Sequence, residues 1–291
     1  MIDFNIILEI FKNCFYPEHQ NYHSISLARV LIGLVCFYKI ALISKDKKYF
    51  SDKGYFPTDH RLSLNYPKTW VDALGINATI LIGLVSSSAL CLGFLTQISS
   101  FLILFVFTSL CSRNPYTFHS GSALLRLILL LLIFSKCNQE FSMDKYLGIE
   151  GFFPTFYFFE PLIKIQVGIM YIKTAWYKLM NLSWRDGAAI HYATKNYLYC
   201  RLKIIETFKM FFNNKAFLKL SSWLVLIMEF SIGFSAFFSD FWYIAFFVGL
   251  FLHISFIIFL YIKEFPYICI AILFIFIPSN VIENCFNILL K

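Results

Sequence analysis

Apolar residues fall along this chain in long blocks. Stretches close to the roughly 20 apolar residues that cross hydrocarbon lie at 25–44, 76–95, 97–112, 120–135, 161–180, 217–238, 241–262 and 265–281. In lipid only a helix satisfies its own backbone, so the pattern predicts an all-α, polytopic integral membrane bundle with seven or eight transmembrane helices. Polar connections break the pattern at 45–68, 135–160 and 181–215. The first carries turn signals at Asp52-Lys53-Gly54, Pro57 and Pro67. The third, GAAIHYATKNYLYCRLKIIETFKMFF, is helical in period but too charged to span, and reads as one interfacial amphipathic helix. A shorter amphipathic piece, Ile6 to Phe15, is expected on the membrane surface. No linker, low-complexity tract or repeat interrupts the chain, so 1–291 is expected to form a single membrane domain. The first apolar stretch has no small-residue cleavage site after it and reads as a retained anchor.

Composition agrees: 59% of residues are hydrophobic and 14% charged, with mean hydropathy +0.68, well outside the range of soluble domains. The net charge of +8 comes from basic residues that flank the apolar blocks without a nucleic-acid-binding motif, which points to anionic lipid headgroups and away from nucleic acid. If all eight spans form, the 45–68 and 181–215 connections share one side. Their Lys and Arg residues mark that side cytoplasmic by the positive-inside rule, whereas a basic interfacial helix at a site mouth would mislead it, so orientation stays open. Eight cysteines are scattered without CxxC or Cys/His spacing; no metal site and no disulfide framework are expected. Cys36, Cys91 and Cys269 lie in apolar blocks, where a thiol acts as a small hydrophobe.

Candidate chemistry concentrates between Ile165 and Lys178, where IQVGIMYIKTAWYK places two lysines in a membrane-length segment. At about 100° per residue, one arc holds Ile165, Gly168, Ile169, Ile172, Ala175 and Trp176 and suits lipid. The other holds Gln166, Lys173, Thr174, Tyr171, Tyr177 and Lys178 and suits a polar cavity. A neutral amine facing a cavity is a usable general base, and Lys178 is the candidate. Other ionisable residues in apolar blocks have plainer readings. Arg29 and Lys39 lie near the ends of the first block and can snorkel to headgroups. Arg126 and Glu229 are opposite charges in one bundle, and a pair between them serves either as a structural tie or in catalysis. His253, in FFVGLFLHISFIIF, is read either as a neutral imidazole bonded to a neighbouring helix or as a functional residue.

The stretch YIKTAWYKLMNLSWRDGAAIHY, with Tyr171, Ala175, Lys178-Leu179, Trp184 and Gly187, resembles the signature of the HTTM (horizontally transferred transmembrane) family, the membrane domain of vitamin-K-dependent γ-glutamyl carboxylases. Glu229-Phe230-Ser231-Ile232-Gly233-Phe234, Phe237-Phe238 and the later His253 are similar to a further stretch of that family. So are ARVLIGL in the first block, Arg113-Asn114-Pro115 through His119, Gly121 and Arg126, and Phe141-Ser142-Met143-Asp144. The resemblance runs from about Ile25 to Pro278. It implies that Lys178 is the base that deprotonates a vitamin K hydroquinone or a menaquinol-type quinol. It also implies that His253 and the Asn114/His119 region line the hydroquinone or peptide site and that Glu229 holds a partner in place. Tyr171, Thr174, Tyr177 and Trp184 are expected at the substrate. Tyr177 stands where the carboxylases have a second lysine.

Two functions follow as expectations. One is a membrane enzyme, carboxylase-like, acting on a quinol-type substrate and modifying a secreted peptide. The other is an accessory membrane protein for maturation or export of a secreted toxin peptide. Expected partners are membrane lipids, a secreted peptide and a second protein subunit that supplies the extramembrane portion found in animal carboxylases. Because the family it resembles includes short bacterial members, the expected location is the bacterial cytoplasmic membrane. A transporter is disfavoured, since no inverted repeat is visible.

Overall fold

The computed structural model describes residues 22–51, 54–55, 68–117 and 119–289. The amphipathic piece expected at Ile6–Phe15 and most of the turn signals of the 45–68 connection lie outside them. Among the described residues the regular structure is helical, apart from one antiparallel bridge between Cys200 and Leu260.

Each apolar block becomes a helix: α1 His23–Lys45, α3 Ile76–Leu92, α4 Thr96–Arg113, α5 Ser120–Phe134, α7 Phe159–Met180, α12 Lys215–Ser235, α13 Ile244–Phe259 and α14 Phe265–Leu273. Short helices α2 Trp70–Leu74 and α6 Met143–Leu147 lie in the connections, and α15 Ser279–Leu289 follows α14. The expected seven or eight spans are not confirmed. Among the described residues three helices, α1, α4 and α12, are long and apolar enough to cross a membrane, or four if Phe265–Phe276 and Ser279–Ile288 count as one bent span. The shortfall has physical causes. Glycine turns cut α3 to 17 residues, and extended backbone at His119 and Ser135 bounds α5 at 15, about 23–26 Å at the helical rise, against a hydrocarbon thickness near 30 Å. Helix α7 is long enough at 22 residues but carries Glu160, Lys164, Lys173 and Lys178.

The single interfacial helix expected over 181–215 is replaced by four short ones: α8 Leu182–Arg185, α9 Ala188–Lys195, α10 Leu202–Thr207 and α11 Lys209–Phe212. Local chemistry makes the breaks. Gly187 sits at φ +89°, where side chains are strained, and a Cβ there would meet the Lys219 nitrogen at 2.6 Å. Asp186 and Asn196 turn their side chains onto the Ala188 and Leu198 amides, competing with a continuous helix.

Contacts divide the chain into two compact units, 1–161 with 283–291, and 162–282. In the first, α1, α3, α4 and α5 pack in succession around Ile32, Ile40, Ile103, Val106 and Ile128. Arg29, expected to snorkel, is instead 0% exposed. Its guanidinium donates to the carbonyls of Leu90 (2.5 Å), Phe141 (2.6 Å), Cys137 (3.0 Å), Cys91 (3.2 Å) and Glu140 (3.4 Å). Those carbonyls belong to a helix end and to turns, where helical donors run short and only Leu90 also accepts from the Gly93 cap amide, which is why a fork of five N–H groups is drawn inside. Lys39 is buried too, donating to Ser122 Oγ at 2.9 Å. Asp144 caps α4 from a distance, accepting from the Leu95 and Thr96 amides at 2.7 and 2.9 Å. Arg113 pairs with Asp72 at 2.5 Å and donates to the Phe50 carbonyl.

In the second unit α7 and α12 cross at glycines. A Cβ on Gly168 would stand 2.7 Å from the Ala236 Cβ, and one on Gly233 would stand 2.5 Å from Ile172 Cγ1 and 3.0 Å from its nitrogen. Gly168→Val is therefore expected to push the helices apart at a cost of about 1–3 kcal/mol, the usual penalty for overpacking, read as a lower midpoint in detergent-solubilised unfolding. The 188–218 region folds back as a small cluster of Cys200, Ile205, Phe212 and Leu218 against Phe259. The Arg201 amide donates to the Phe259 carbonyl and the Tyr261 amide to the Tyr199 carbonyl, clasping it to the end of α13.

Candidate functional site

The buried face of α7 is Ile163, Val167, Gly168, Tyr171 and Ala175, spaced by three to four residues, and Lys178 continues it half-buried. The polar arc drawn from the sequence therefore splits. Tyr171 and Lys178 turn into the second unit with Gly168 and Ala175, whereas Lys173, Thr174 and Tyr177 are exposed on the opposite side. Thr174 Oγ1 donates back to the Met170 carbonyl, and Lys173 stands over the Tyr177 ring at 5.8 Å. An arc read on a 14-residue window mixed these faces because the small residues Gly168 and Ala175 resemble lipid-facing positions while serving close helix packing.

Lys178 Nζ donates to Glu229 Oε1 at 2.5 Å. The lysine side chain is 18% exposed and the carboxylate 5%. The ammonium also stands 4.5 Å from the centre of the Trp184 ring, a cation–π contact supplied by α8. Glu229 thus takes Lys178 as its partner in place of the expected Arg126. Arg126 belongs to the first unit, where its Nε donates to the Ser122 carbonyl. The reason for the change is register. Along α7 and α12, Gly168 meets Ala236 and Ile172 meets Gly233, so the contacts run in opposite directions and bring Lys178 toward Glu229. Helical side chains lean toward their own N-termini, so in this arrangement the two reach toward each other.

A second polar pair lies deeper. Tyr171 Oη is 2.6 Å from His253 Nε2, and both residues are buried. The imidazole is flanked edge-on by Phe256 and Phe265, and the Cys269 thiol faces the same phenol. His253 follows a π-helical turn at Ile244–Val248 that opens α13. Two buried polar atoms of the cluster, Glu229 Oε2 and His253 Nδ1, have no hydrogen-bond partner among the described residues.

Asn114 and His119 lie in the first unit. The Asn114 side chain donates to the Tyr49 carbonyl and accepts from the Tyr116 amide, and His119 Nε2 is 3.4 Å from Ser122 Oγ. The sequence reading did not single out Cys269 or the glycine crossing for the site. Gly168 and Gly233 were the available signal, each a glycine in an apolar helix, where close packing is the usual cause.

The sequence matches the HTTM domain family over residues 18–280. The chain belongs to the HTTM family. No curated protein and no solved structure matches it. As an HTTM protein it is a membrane protein whose helices carry a part-buried lysine–glutamate pair and a buried tyrosine–histidine pair in one unit. The HTTM match takes in both units, including the Arg113–Arg126 segment.

Proposed function

We propose that this HTTM protein is a membrane enzyme of carboxylase-like chemistry in which the Lys178–Glu229 pair accepts a proton from a quinol-type, lipid-soluble substrate, in the service of modifying a secreted peptide. The observation that carries the reading is a half-buried amine on a buried carboxylate at 2.5 Å, the carboxylate's second oxygen being left without a partner among the described residues. A structural salt bridge in a low-dielectric bundle is selected to satisfy every lone pair. This one leaves an acceptor open, and in the same unit the Nδ1 of buried His253 is open as well. Carboxylate, amine, imidazole and phenol together fit a ligand bearing hydroxyl and carbonyl oxygens, as a vitamin K hydroquinone or a menaquinol does.

The pair holds one proton between its two groups and has room for one more. Whether that proton rests on Lys178 or on Glu229, accepting a second leaves the pair with a net positive charge, which offsets an anion formed beside it. The Trp184 ring faces the same ammonium and favours the charged amine. By family resemblance, a bound quinol supplies, on reaction with oxygen, the strong base needed to carboxylate a peptide glutamate. The peptide, a second subunit and a bacterial cytoplasmic membrane location belong to the same proposal.

The test is epoxide formation, followed by mass spectrometry, in membranes given oxygen and vitamin K hydroquinone or menaquinol. Epoxide is expected from the wild type and not from Lys178→Ala. Lys178→Met/Glu229→Leu, which removes both charges together, serves as the folded control. Epoxide at wild-type levels from these variants would sink the assignment. Absence of epoxide from the folded wild type would favour the accessory role in peptide maturation or export.

A further inference from the structure

We propose that Tyr171 locks His253 in the tautomer with its hydrogen on Nδ1, so that the imidazole presents an N–H donor to an oxygen acceptor on the ligand. The inference rests on the reading of the Lys178 cluster as a ligand site. His253 is 1% exposed, and its Nε2 is 2.6 Å from the Tyr171 oxygen. A neutral imidazole has one donor nitrogen and one acceptor nitrogen. Two arrangements are available, and they differ in what becomes of the phenol hydrogen.

In the first, Tyr171 donates to Nε2 and the hydrogen of the ring sits on Nδ1. The phenol is then satisfied by the best acceptor within reach. In the second, Nε2–H donates to the phenol oxygen, and the phenol hydrogen must go elsewhere. Among the described residues His253 Nε2 is the hydrogen-bond partner of that oxygen, and the nearby Cys269 sulfur is a weak acceptor. The first arrangement therefore wins, and its consequence falls on Nδ1. That nitrogen carries a hydrogen, is buried, and has no acceptor among the described residues. Phe256 and Phe265 pack edge-on at 5.7 and 5.8 Å between ring centres and hold the imidazole plane. A buried donor kept in a fixed direction without a partner is a contact waiting for one.

The ligand class follows. His253 Nδ1 offers a donor, so the group that meets it is an acceptor oxygen, as on a quinone or quinol. Tyr171 is a positioning residue in this scheme, because it acts on the ligand only through the ring it orients.

Nitrogen-15 NMR of histidine-labelled protein in lipid nanodiscs tests this, with His253 assigned from His253→Gln. In the wild type without additive, His253 is expected to show a protonated Nδ1 and an unprotonated Nε2. Tyr171→Phe, which keeps the ring and therefore the packing, is expected to lose that preference while the remaining histidine resonances stay in place. Menadione, which offers acceptor oxygens only, is expected to shift the Nδ1–H resonance of the wild type saturably. Hydrogen on Nε2 in the wild type overturns the proposal, as does an unmoved Nδ1 resonance while menadione binds saturably by tryptophan quenching. If neither menadione nor menadiol binds, yet Nδ1 carries the hydrogen and depends on Tyr171, the lock stands and the quinol reading falls.

Discussion

Lys178→Met is expected to destabilise the second unit by about 3–5 kcal/mol, and Lys178→Met/Glu229→Leu to restore most of that loss. Removing one partner of a buried ion pair strands the other charge, whereas exchanging both for apolar groups of similar volume is often neutral. The two single variants should differ. Glu229 is 5% exposed and has no second partner among the described residues, so it is costly to strand. Lys178 is 18% exposed and keeps the Trp184 face, so Glu229→Leu falls nearer the lower end. Unfolding in mixed micelles, all four proteins at one pH, gives the coupling as a double-variant cycle. A double variant as unstable as the sum of the singles would show that the pair is not coupled. The same four proteins separate stability from chemistry, because only the pair-free variant is expected to be both folded and inactive.

Arg29→Leu is expected to cost about as much, roughly 3–5 kcal/mol, in the first unit. Five carbonyls lose a guanidinium donor at once, and they come from two separated segments, 90–91 and 137–141. Arg29→Lys should recover only part of the loss, since an ammonium has three donors on a flexible stem in place of a planar fork. Gly93 sharpens the constraint: a Cβ there would stand 2.7 Å from Arg29 Nη1 and 2.4 Å from Ser142 Cβ, so the turn and the guanidinium are fitted to each other. Proteolysis rate and thermal midpoint in detergent read the effect. An Arg29→Leu protein with wild-type midpoint would contradict the assignment of this residue as the tie of the first unit.

Hydropathy alone located the helices well. The block at 25–44 became His23–Lys45, and that at 217–238 became Lys215–Ser235. It could not see what determines whether a helix spans, namely where a glycine turn or a change to extended backbone shortens it, as after Leu92 and before Ser120. The site was legible as a set of residue types: Tyr171, Lys178, Trp184, Glu229 and His253 do fall in one unit. Their partners were not. Opposite charge suggested Arg126 for Glu229, but charge carries no register. The register lies in Gly168 and Gly233, which set how α7 and α12 meet. Arg29 misled for a related reason. Position near a span end suggests water, while the carbonyls that claim it lie 61 to 112 residues away in sequence.

The π-helical turn at Ile244–Val248 gives α13 one surplus residue ahead of His253. Such a surplus acts as slack, taken up inside one widened turn so that the residues beyond it keep their facing. Deleting a single residue from that turn returns it to regular α-helix and leaves His253 on Tyr171, whereas deleting one from residues 249–252, where the helix is regular, turns the imidazole by about 100° and carries it off the phenol. The tolerance of this helix to a change of length thus differs between two neighbouring turns of equal apolar character.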